Sequence, residues 1–552
     1  MLFAGRGASA RRRPSRHSGS SVPCRRSRRE PIERTRLPLR FRPITWLPVA
    51  AALGALATLV AAAPAYFRQG FPLDDAWIHA VYAREFARTG MLAYNPGVPA
   101  TGETSPMWAF ALAVPHWMSG GDIQSAVLLT KLFGFALHVF AALLIARTLA
   151  VGSPDGFLPW VGGALVALHP DLVAASVSGM EVPLASLVIA GLAFAVVTDR
   201  WPLAGAIGAM AAVARPETPV FVVFALALAA ARREGAPLKS FLAASIGAAI
   251  AMAVVCLRNW FVSGLILPAT FYAKVQSSSV MSIDWQMIGF RRLLGSIVLV
   301  DQPLILLVLV ASATVLLVRH STTTGGHTAS ALFLAGIVFC IVSFALVHPV
   351  DPTAFYHQRY VLPALVPIVA ALPILLREML SDIPGRFAAP ALTALLIVMS
   401  VLTLVAAPER YRRLSNDTRN IDDVQVEFGR ALSAARPSDI AWVVDAGAPR
   451  FFGGAYVVDL LGLNTYELLP HNPQAFLDRH QPRYLDVFAG WSSFRGGTRL
   501  ADLPHREFAA STRYTVTSLR GMSSHVLVTC VPGASGELAV RTKLFAFRCP
   551  EH

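Results

Sequence analysis

The stretch Phe71-Pro-Leu-Asp-Asp-Ala-Trp-Ile-His79 places two neighbouring carboxylates, Asp74 and Asp75, a few residues after the first long apolar segment. Two ionised neighbours repel each other, so such a pair persists where a metal ion, a cationic group or a shared proton offsets the repulsion. Adjacent carboxylates also open helices, because negative charge is favoured at a helix N-terminus. The pair therefore predicts either a catalytic site with a general base, with or without a divalent cation (Mg or Mn), or simply a helix start.

Apolar residues dominate the composition. They occupy 55% of the 552 positions, whereas charged residues occupy 15%. Many of them gather in runs of about 20 residues, which is the length that a helix needs to cross a bilayer. The composition predicts a mainly α, polytopic helical membrane protein and excludes a soluble globular enzyme.

Positive charge is concentrated at the N-terminus. Residues 1–43 hold thirteen Arg against Glu30 and Glu33, and so supply +11 of the formal net charge of +15. A basic arm before a first apolar segment is typical of a cytoplasmic tail that obeys the positive-inside bias. The arm is too long for the n-region of a secretory signal. We therefore predict a cytoplasmic N-terminus in the cell inner (plasma) membrane and no nucleic-acid partner.

Lys and Arg in the remaining loops predict a topology of about eleven spans, with residues 408–552 outside. Spans 5 and 6 are short, but a single kinked helix would put Arg215 and Glu217 near the middle of the bilayer, where charges are costly. We therefore expect two short helices there. The predicted spans are 46–66, 124–147, 157–176, 181–198, 201–214, 218–231, 240–261, 296–318, 329–347, 360–376 and 387–406.

This topology gathers the unusual polar residues on the outer side. A single charged residue at a membrane boundary usually just faces water, but here the outer loops combine acids with His and basic residues, whereas the inner loops carry mainly Arg and Lys. The asymmetry indicates a site at the outer membrane surface. Its candidates are Asp74, Asp75, His79, Glu103, Glu181, Arg215, Glu217, Lys274, Asp351, His357 and Arg359.

The chain changes character after the last predicted span. The stretches 440–445 and 456–461 have the pattern of short buried strands. We therefore predict three domains: a basic tail at 1–43, a membrane module at 44–407 whose outer loop is 67–123, and a small extracytoplasmic α/β domain at 408–552. Cys530 and Cys549 share the last domain, and the sequence leaves their pairing open. No Cys/His spacing indicates zinc.

Ten short motifs follow one another along the chain: Leu73-Asp-Asp-Ala-Trp-Ile78, Tyr82-Ala-Arg84, Tyr94-Asn-Pro-Gly97, Gly102-Glu-Thr-Ser-Pro-Met-Trp108, Ser178-Gly-Met-Glu-Val-Pro183, Ala214-Arg-Pro-Glu217, Leu267-Pro-Ala-Thr-Phe-Tyr-Ala-Lys274, Gln358-Arg-Tyr-Val-Leu-Pro363, Asp445-Ala-Gly447 and Val458-Asp-Leu-Leu-Gly462. Together they resemble the GT-C superfamily of polytopic membrane glycosyltransferases. Within it they are most similar to the terminal β-arabinofuranosyltransferases and related bacterial proteins. Ala269 departs from the pattern, in which Asn is expected.

The resemblance implies transfer of a sugar, such as arabinofuranose or another pentose or hexose, from a polyprenyl-phosphate donor to a glycan, lipid or protein acceptor of the cell envelope. Such transfer needs a carboxylate base and cations for the departing phosphate. Asp74 or Asp75 is the candidate base, the other orienting the acceptor or binding a metal ion. The phosphate candidates are Lys274, Arg359 and Arg215, and the substrate-binding candidates are His79, Glu103, Glu181, Glu217 and His357.

A transporter or flippase for a lipid-linked substrate is the competing class. Transporters place charges and broken helices near the bilayer midplane, often in two corresponding halves. Here the span interiors are nearly free of charge, with His138 as a central polar exception, and the two halves of the chain do not correspond. A membrane scaffold would explain the spans but would leave the outer acids without a role. The pattern therefore favours the enzyme.

Overall fold

The computed structural model describes residues 43–469, apart from residues 152, 154–155, 232–236, 279–322 and 348–358. Further along the chain it describes residues 475–476, 479–488, 514–518 and 525–530. The predicted span at 296–318, His357 and Asp351 lie outside these residues. Residues 1–42 of the basic tail also lie outside the described residues, as does Cys549, whose pairing with Cys530 the sequence leaves open.

The described part of the chain is mostly helical, as its composition predicts. By length and composition, six of its helices can cross a membrane, or seven if a bent pair forms one span, and three further apolar helices are shorter. The principal helices are α1 Leu47–Ala62, α2 Asp74–Thr89, α3 Pro106–Met118, α4 Ile123–Ala150, α5 Leu158–Leu168, α6 Pro170–Ser176, α7 Val182–Val197, α8 Trp201–Ala214, α9 Thr218–Ala231, α10 Pro237–Ser263, α11 Ala269–Ser278, α12 Thr324–Val347, α13 Leu365–Met379, α14 Gly385–Ile421, α15 Glu427–Ala431 and α16 Ala448–Phe452.

The apolar helices pack closely around α7, which is buried along nearly its whole length. A helix that is apolar on every side belongs in such an interior position. Small residues allow the closest approaches. A Cβ on Gly208 of α8 would overlap the carbonyl of Ala244 on α10, and one on Gly247 would overlap the carbonyl of Gly205. Backbone-to-backbone packing of this kind is typical of helix pairs in membranes.

The predicted spans 5 and 6 are two separate short helices, α8 and α9, with Arg215 and Glu217 in the turn between them. Span 3 differs from the prediction. It is divided into α5 and α6, which meet at an angle of 60°. His169 lies at the break and Pro170 begins α6. Proline disfavours the helical conformation of the residue before it, which explains the interruption.

The segment between α1 and α4 carries the acidic motif. It contains α2, a short hairpin of β1 (Ala93–Asn95) and β2 (Val98–Pro99), and α3. Gly90 ends α2 in the left-handed conformation, with φ of 73°, which glycine adopts at little cost. The apolar side chains of Phe110, Val114 and Trp117 on α3 are exposed. Helix α3 therefore has one apolar face that the rest of the described chain leaves uncovered.

The C-terminal part forms a five-stranded mixed sheet. Its strands are β3 Ile440–Val443, β4 Tyr456–Asp459, β5 Tyr484–Phe488, β6 Tyr514–Ser518 and β7 His525–Cys530. Their order is β4-β3-β5-β7-β6, in which β3 pairs in parallel with β4 and β5, and β7 pairs antiparallel with β5 and β6. The two predicted strands are thus β3 and β4. Helix α14 continues through residue 408, where the sequence suggested a domain boundary.

Candidate active site

Asp74 and Asp75 begin α2, but their side chains have different partners. Asp74 accepts hydrogen bonds from two backbone amides at the start of α16. The distances are 2.6 Å from Gly447 N to Oδ2 and 2.8 Å from Ala448 N to Oδ1. A Cβ on Gly447 would overlap the backbone oxygen of Asp74, so glycine permits this close approach. Asp74 thus connects the start of α2 to the C-terminal sheet.

The surroundings of Asp74 disfavour its charge. Burial, followed by the charge of Asp445, raises the pKa of Asp74 well above its usual range, although the two amide donors at Gly447 and Ala448 act in the opposite direction. Asp445 itself accepts a hydrogen bond from Gln425 Nε2 at 2.9 Å. Both oxygens of Asp74 accept hydrogen bonds from backbone amides, so the main role of this side chain is to hold α2 against α16.

Asp75 faces an open pocket. Its side chain is 40% exposed, and Oδ2 lies 2.9 Å from Nη1 of Arg359. Its partial burial would raise its pKa, but the positive charges of Arg359 and Lys274 outweigh that effect and lower the pKa below its usual value. Asp75 is therefore ionised at neutral pH and accessible to a molecule in the pocket.

His79 lies one turn further along α2, between two buried carboxylates. Its Nδ1 is 2.9 Å from Glu103 Oε1, and its Nε2 is 3.2 Å from Glu181 Oε2. Burial alone would lower the pKa of His79, but Glu103 and Glu181 together raise it to about 10. The imidazole is therefore a cation at neutral pH and holds the two carboxylates in place. Glu103 also accepts a hydrogen bond from the amide of Ser105 at 2.7 Å.

Arg215 extends this ion-pair network away from the pocket. Its Nη1 lies 2.8 Å from Glu181 Oε1, and its Nε pairs with Glu217. The guanidinium is also stacked over the ring of Tyr360, 4.5 Å from the centroid, and Arg359 lies 5.3 Å from the same ring. Burial would raise the pKa of Glu181, but Arg215 and His79 lower it well below its usual value. Glu103, His79, Glu181, Arg215 and Glu217 thus form one continuous network.

The pocket has a volume of about 390 Å³, including its open mouth. It brings together six of the residues that the sequence nominated: Asp75, His79, Glu103, Glu181, Lys274 and Arg359. The other described candidates, Asp74, Arg215 and Glu217, are not among its lining residues, and His357 lies outside the described part of the chain. The remaining lining residues are Ile78, Gly102, Thr104, Met180, Thr270, Tyr360 and Leu463.

Six of these seven further residues lie within the motifs quoted above, and Leu463 is the exception. Tyr360 directly follows Arg359, and Thr270 lies within the Leu267–Lys274 motif. The Thr270 hydroxyl donates to the carbonyl of Gly102 at 2.7 Å. At Ala269, where the resemblance suggests Asn, the side chain is fully buried. The Ala269 amide donates to the carbonyl of Thr101 at 3.0 Å, so the backbone makes the polar contact at this position.

The carboxylate pair does not converge on a common point for a metal ion. The oxygens of Asp74 face the amides of Gly447 and Ala448, whereas Asp75 faces Arg359. In the described part of the chain, no group of three or more His, Cys, Asp or Glu side chains is arranged to hold a metal ion. These residues therefore do not fit a shared divalent ion, and the chemistry below relies on side chains alone.

The overall architecture is that of the GT-C fold. The chain resembles the crystal structure of ArnT from Cupriavidus metallidurans bound to undecaprenyl phosphate, with a TM-score of 0.52, 12% identity and coverage of 88% of this chain and 98% of that one. For apo ArnT the values are 0.51, 14%, 89% and 99%. An oligosaccharyltransferase from Archaeoglobus fulgidus gives a TM-score of 0.49 with 10% identity, and covers 87% of this chain and 74% of that one.

Comparisons of the sequence alone find a match for only part of the chain. Residues 419–527 match the model of a domain of unknown function, DUF8728. No curated protein sequence matches the chain. The protein is therefore a multi-pass membrane protein with a GT-C fold.

Proposed function

We propose that this protein is a glycosyltransferase that takes a sugar from a polyprenyl-phosphate donor and transfers it to a hydroxyl of a cell-envelope glycan, lipid or protein. The observation that carries the proposal is the pocket, in which one exposed carboxylate, Asp75, lies beside two cations, Arg359 and Lys274. A base next to a phosphate-binding pair is what this transfer needs. A fold shared with an enzyme crystallised with undecaprenyl phosphate supports it.

Asp75 is the proposed base. As the acceptor oxygen forms its bond to the anomeric carbon, its proton passes to the Asp75 carboxylate. The bond between that carbon and the phosphate oxygen breaks, and its electron pair leaves with the polyprenyl phosphate. Arg359 and Lys274 stabilise the charge that the phosphate gains, Arg through its planar fork and Lys as a point charge. In this proposal Asp74 holds the start of α2 against α16, whereas the sequence suggested that the second carboxylate orients the acceptor or binds a metal ion.

The contact between Asp75 and Arg359 suggests an order of binding. In the free protein, Arg359 neutralises Asp75 at 2.9 Å and lowers its pKa. A donor phosphate competes for the same guanidinium. Once Arg359 contacts the phosphate, its positive charge acts less strongly on Asp75. The pKa of Asp75 then rises, and its affinity for the acceptor proton rises with it. The donor should therefore bind before the acceptor is activated.

The sugar is bound by the acidic side of the pocket in this proposal. Glu103 and Glu181 are fixed by His79, and Glu103 Oε2 has no hydrogen-bond partner among the described residues. A carboxylate oxygen of this kind accepts a bond from a sugar hydroxyl. Arabinofuranose or another pentose or hexose remains our prediction for the sugar. The pocket faces the outer side of the inner membrane in this proposal.

The proposal is tested with the purified full-length chain in lipid nanodiscs. A panel of polyprenyl-phosphate monosaccharides, including the arabinofuranose donor, is offered with a cell-envelope extract as acceptor, and released polyprenyl phosphate is measured. Wild-type protein should consume at least one donor. Asp75→Asn should reduce turnover by about 10²- to 10⁴-fold, because it removes the base and preserves the shape of the side chain.

The matched control is Asp122→Asn. Asp122 is an exposed helix cap that accepts a hydrogen bond from the Ser125 amide at 2.8 Å, and Asn is an equally good cap. This variant should have wild-type turnover. If Asp75→Asn also has wild-type turnover, Asp75 is not the base. If no donor is consumed by the wild type, the proposed activity is wrong.

A further inference from the structure

A loop of the C-terminal sheet reaches the pocket. It begins with Asp459 at the end of β4 and ends at Thr465. Asp459 is fully buried and accepts three hydrogen bonds: from the Leu461 amide at 3.0 Å, the Asn464 amide at 2.8 Å and the Asn464 side-chain amide at 3.0 Å. Gly462 has φ of 75°, which allows the turn. The loop is thus built rigidly around one carboxylate.

The tip of this loop presses against the segment that carries Glu103. A Cβ on Gly102 would overlap both Asn464 Oδ1 and the carbonyl of Leu463, so the two backbones are in direct contact. The Tyr82 hydroxyl, on α2, donates to Asn464 Oδ1 at 3.0 Å. The Thr270 hydroxyl, on α11, donates to the Gly102 carbonyl at 2.7 Å and lies 3.3 Å from the carbonyl of Leu463. Three separate elements therefore hold Gly102 in one position.

We propose that Asn464 is a positioning residue that fixes the Gly102–Glu103 backbone, so that the domain of unknown function at 419–527 completes the pocket. The position of Gly102 also determines the position of Glu103, the next residue in the chain. Glu103 binds His79 and the Ser105 amide, and its carboxylate can keep both contacts only while Gly102 stays in place. Leu463 lines the pocket from the same loop. The effect on turnover rests on the proposed function, but the positioning itself does not.

Two variants of the full-length chain test this inference. Tyr82→Phe removes the hydroxyl that binds Asn464 without changing the shape of the core, and Asn464→Ala removes the side chain itself. The matched control is Tyr94→Phe. Tyr94 is equally buried, and its hydroxyl donates to the carbonyl of Ala446, also in the C-terminal part, but Tyr94 does not line the pocket. Hydrogen–deuterium exchange of the 101–105 amides is measured beside donor turnover.

We expect exchange at 101–105 to be about tenfold faster in Tyr82→Phe and Asn464→Ala, because one hydrogen bond is worth up to about that factor. It should be unchanged in Tyr94→Phe. Turnover should fall by about 10- to 100-fold in both test variants, whereas the KM for the donor should stay within about twofold. A lower turnover with an unchanged KM for the donor indicates that the acidic side chains are misplaced, whereas a higher KM would indicate that donor binding is lost.

Unchanged exchange at 101–105 in Tyr82→Phe would overturn the inference, even if Asn464→Ala failed to fold. An equal increase in Tyr94→Phe would also overturn it, because the effect would then be general loosening of the C-terminal part. If the wild type consumes no donor while exchange responds as expected, the positioning role stands and the proposed activity fails.

Discussion

Asp74 and Asp75 are neighbours in the chain, yet they contact different parts of the molecule. Successive residues of a helix point about 100° apart, so two carboxylates at a helix start cannot share one partner easily. Asp74 therefore meets Gly447 and Ala448, while Asp75 meets Arg359 in the pocket. The motif begins a helix, as one interpretation predicts. The catalytic interpretation stays a prediction, which we assign to Asp75.

The first prediction at this scale concerns pH and His79. Its pKa is raised from 6.5 to about 10 in the folded protein. Folding therefore gains stability from His79 that is fully present below about pH 6.5 and is lost progressively as the pH rises through about 10. His79→Gln leaves two buried carboxylates poorly paired and should cost roughly 3 kcal/mol near neutral pH.

Thermal unfolding of the detergent-solubilised protein between about pH 6 and about pH 9.5 measures this effect. The wild type should lose stability over that interval, and His79→Gln should lose less. His116→Gln is the matched control, because burial and then Arg84 lower the pKa of His116 to about 4, so that it is neutral throughout. Parallel curves for the wild type and His79→Gln would show that His79 is not protonated in the folded state.

The second prediction concerns Arg359. Arg359→Ala should lower kcat/KM for the donor by about 10²- to 10³-fold, because the cation stabilises charge that develops on the leaving phosphate. Arg359→Lys keeps the charge but loses the planar fork and should be intermediate. Arg88→Ala, at an exposed position in the last turn of α2, should leave the rate unchanged. Full activity of Arg359→Lys would exclude bidentate binding of the phosphate.

The residue types of the pocket could be predicted from the sequence, but their individual contacts could not. Six nominated residues line one pocket, and the placement of their loops on the outer side of the membrane stays a prediction. Asp74 and Asp75 have different partners because Asp74 contacts Gly447, which lies more than 370 positions further along the chain. The contact of Asn464 with Tyr82 likewise joins distant segments. Neither contact has a local pattern that a single sequence would reveal.

At the scale of elements, hydrogen bonds between side chains and backbone join the C-terminal part to the segment between α1 and α4, and those of Gly70, Asp74 and Asn95 are among them. The Gly70 amide donates to Asp422, Asp74 accepts from the start of α16, and Asn95 makes two hydrogen bonds with the backbone of Val457. Each contact pairs a side chain with backbone. Apolar packing adds to these bonds, because the ring of Trp77 on α2 lies 4.9 Å from the rings of Phe451 and Phe452 on α16.

The third prediction tests the middle contact. Gly447→Ala places a methyl group against the backbone and the carboxylate of Asp74, and should reduce the free energy of unfolding by about 1–3 kcal/mol. Gly54→Ala, in α1, meets no atom within 4 Å and should be neutral or stabilising. Thermal unfolding and protease trimming of the C-terminal part measure both variants. Equal stability of Gly447→Ala and the wild type would mean that this contact does not hold the sheet.

Helices and strands followed from the sequence where local signals are strong. The short helices α8 and α9 were predicted from the charges between them, and β3 and β4 from their apolar runs. The break between α5 and α6 was missed, because apolar composition continues across His169 and Pro170 even though proline interrupts the helix. The order of the strands in the sheet depends on pairing between distant segments, which a local pattern does not encode.

For the whole molecule, the fourth prediction concerns the sides of the membrane. Gln124, at the start of α4, and Ser381, after α13, are both exposed. In a background with the five native cysteines replaced by serine, an impermeant maleimide should label Gln124→Cys in intact cells. Ser381→Cys should react only after permeabilisation. Labelling of Ser381→Cys from outside would overturn the proposed topology and move the pocket to the cytoplasmic side.

Analysis of lipid-linked sugars in cells tests the central claim most directly. Polyprenyl-phosphate sugars are extracted from cells that lack this chain, from cells that express the wild type and from cells that express Asp75→Asn at the same level. Loss of the chain should cause one polyprenyl-phosphate sugar to accumulate, the wild type should return it to its normal level, and Asp75→Asn should not. Identical lipid-linked sugars in all three strains would contradict the proposal that the protein consumes such a donor.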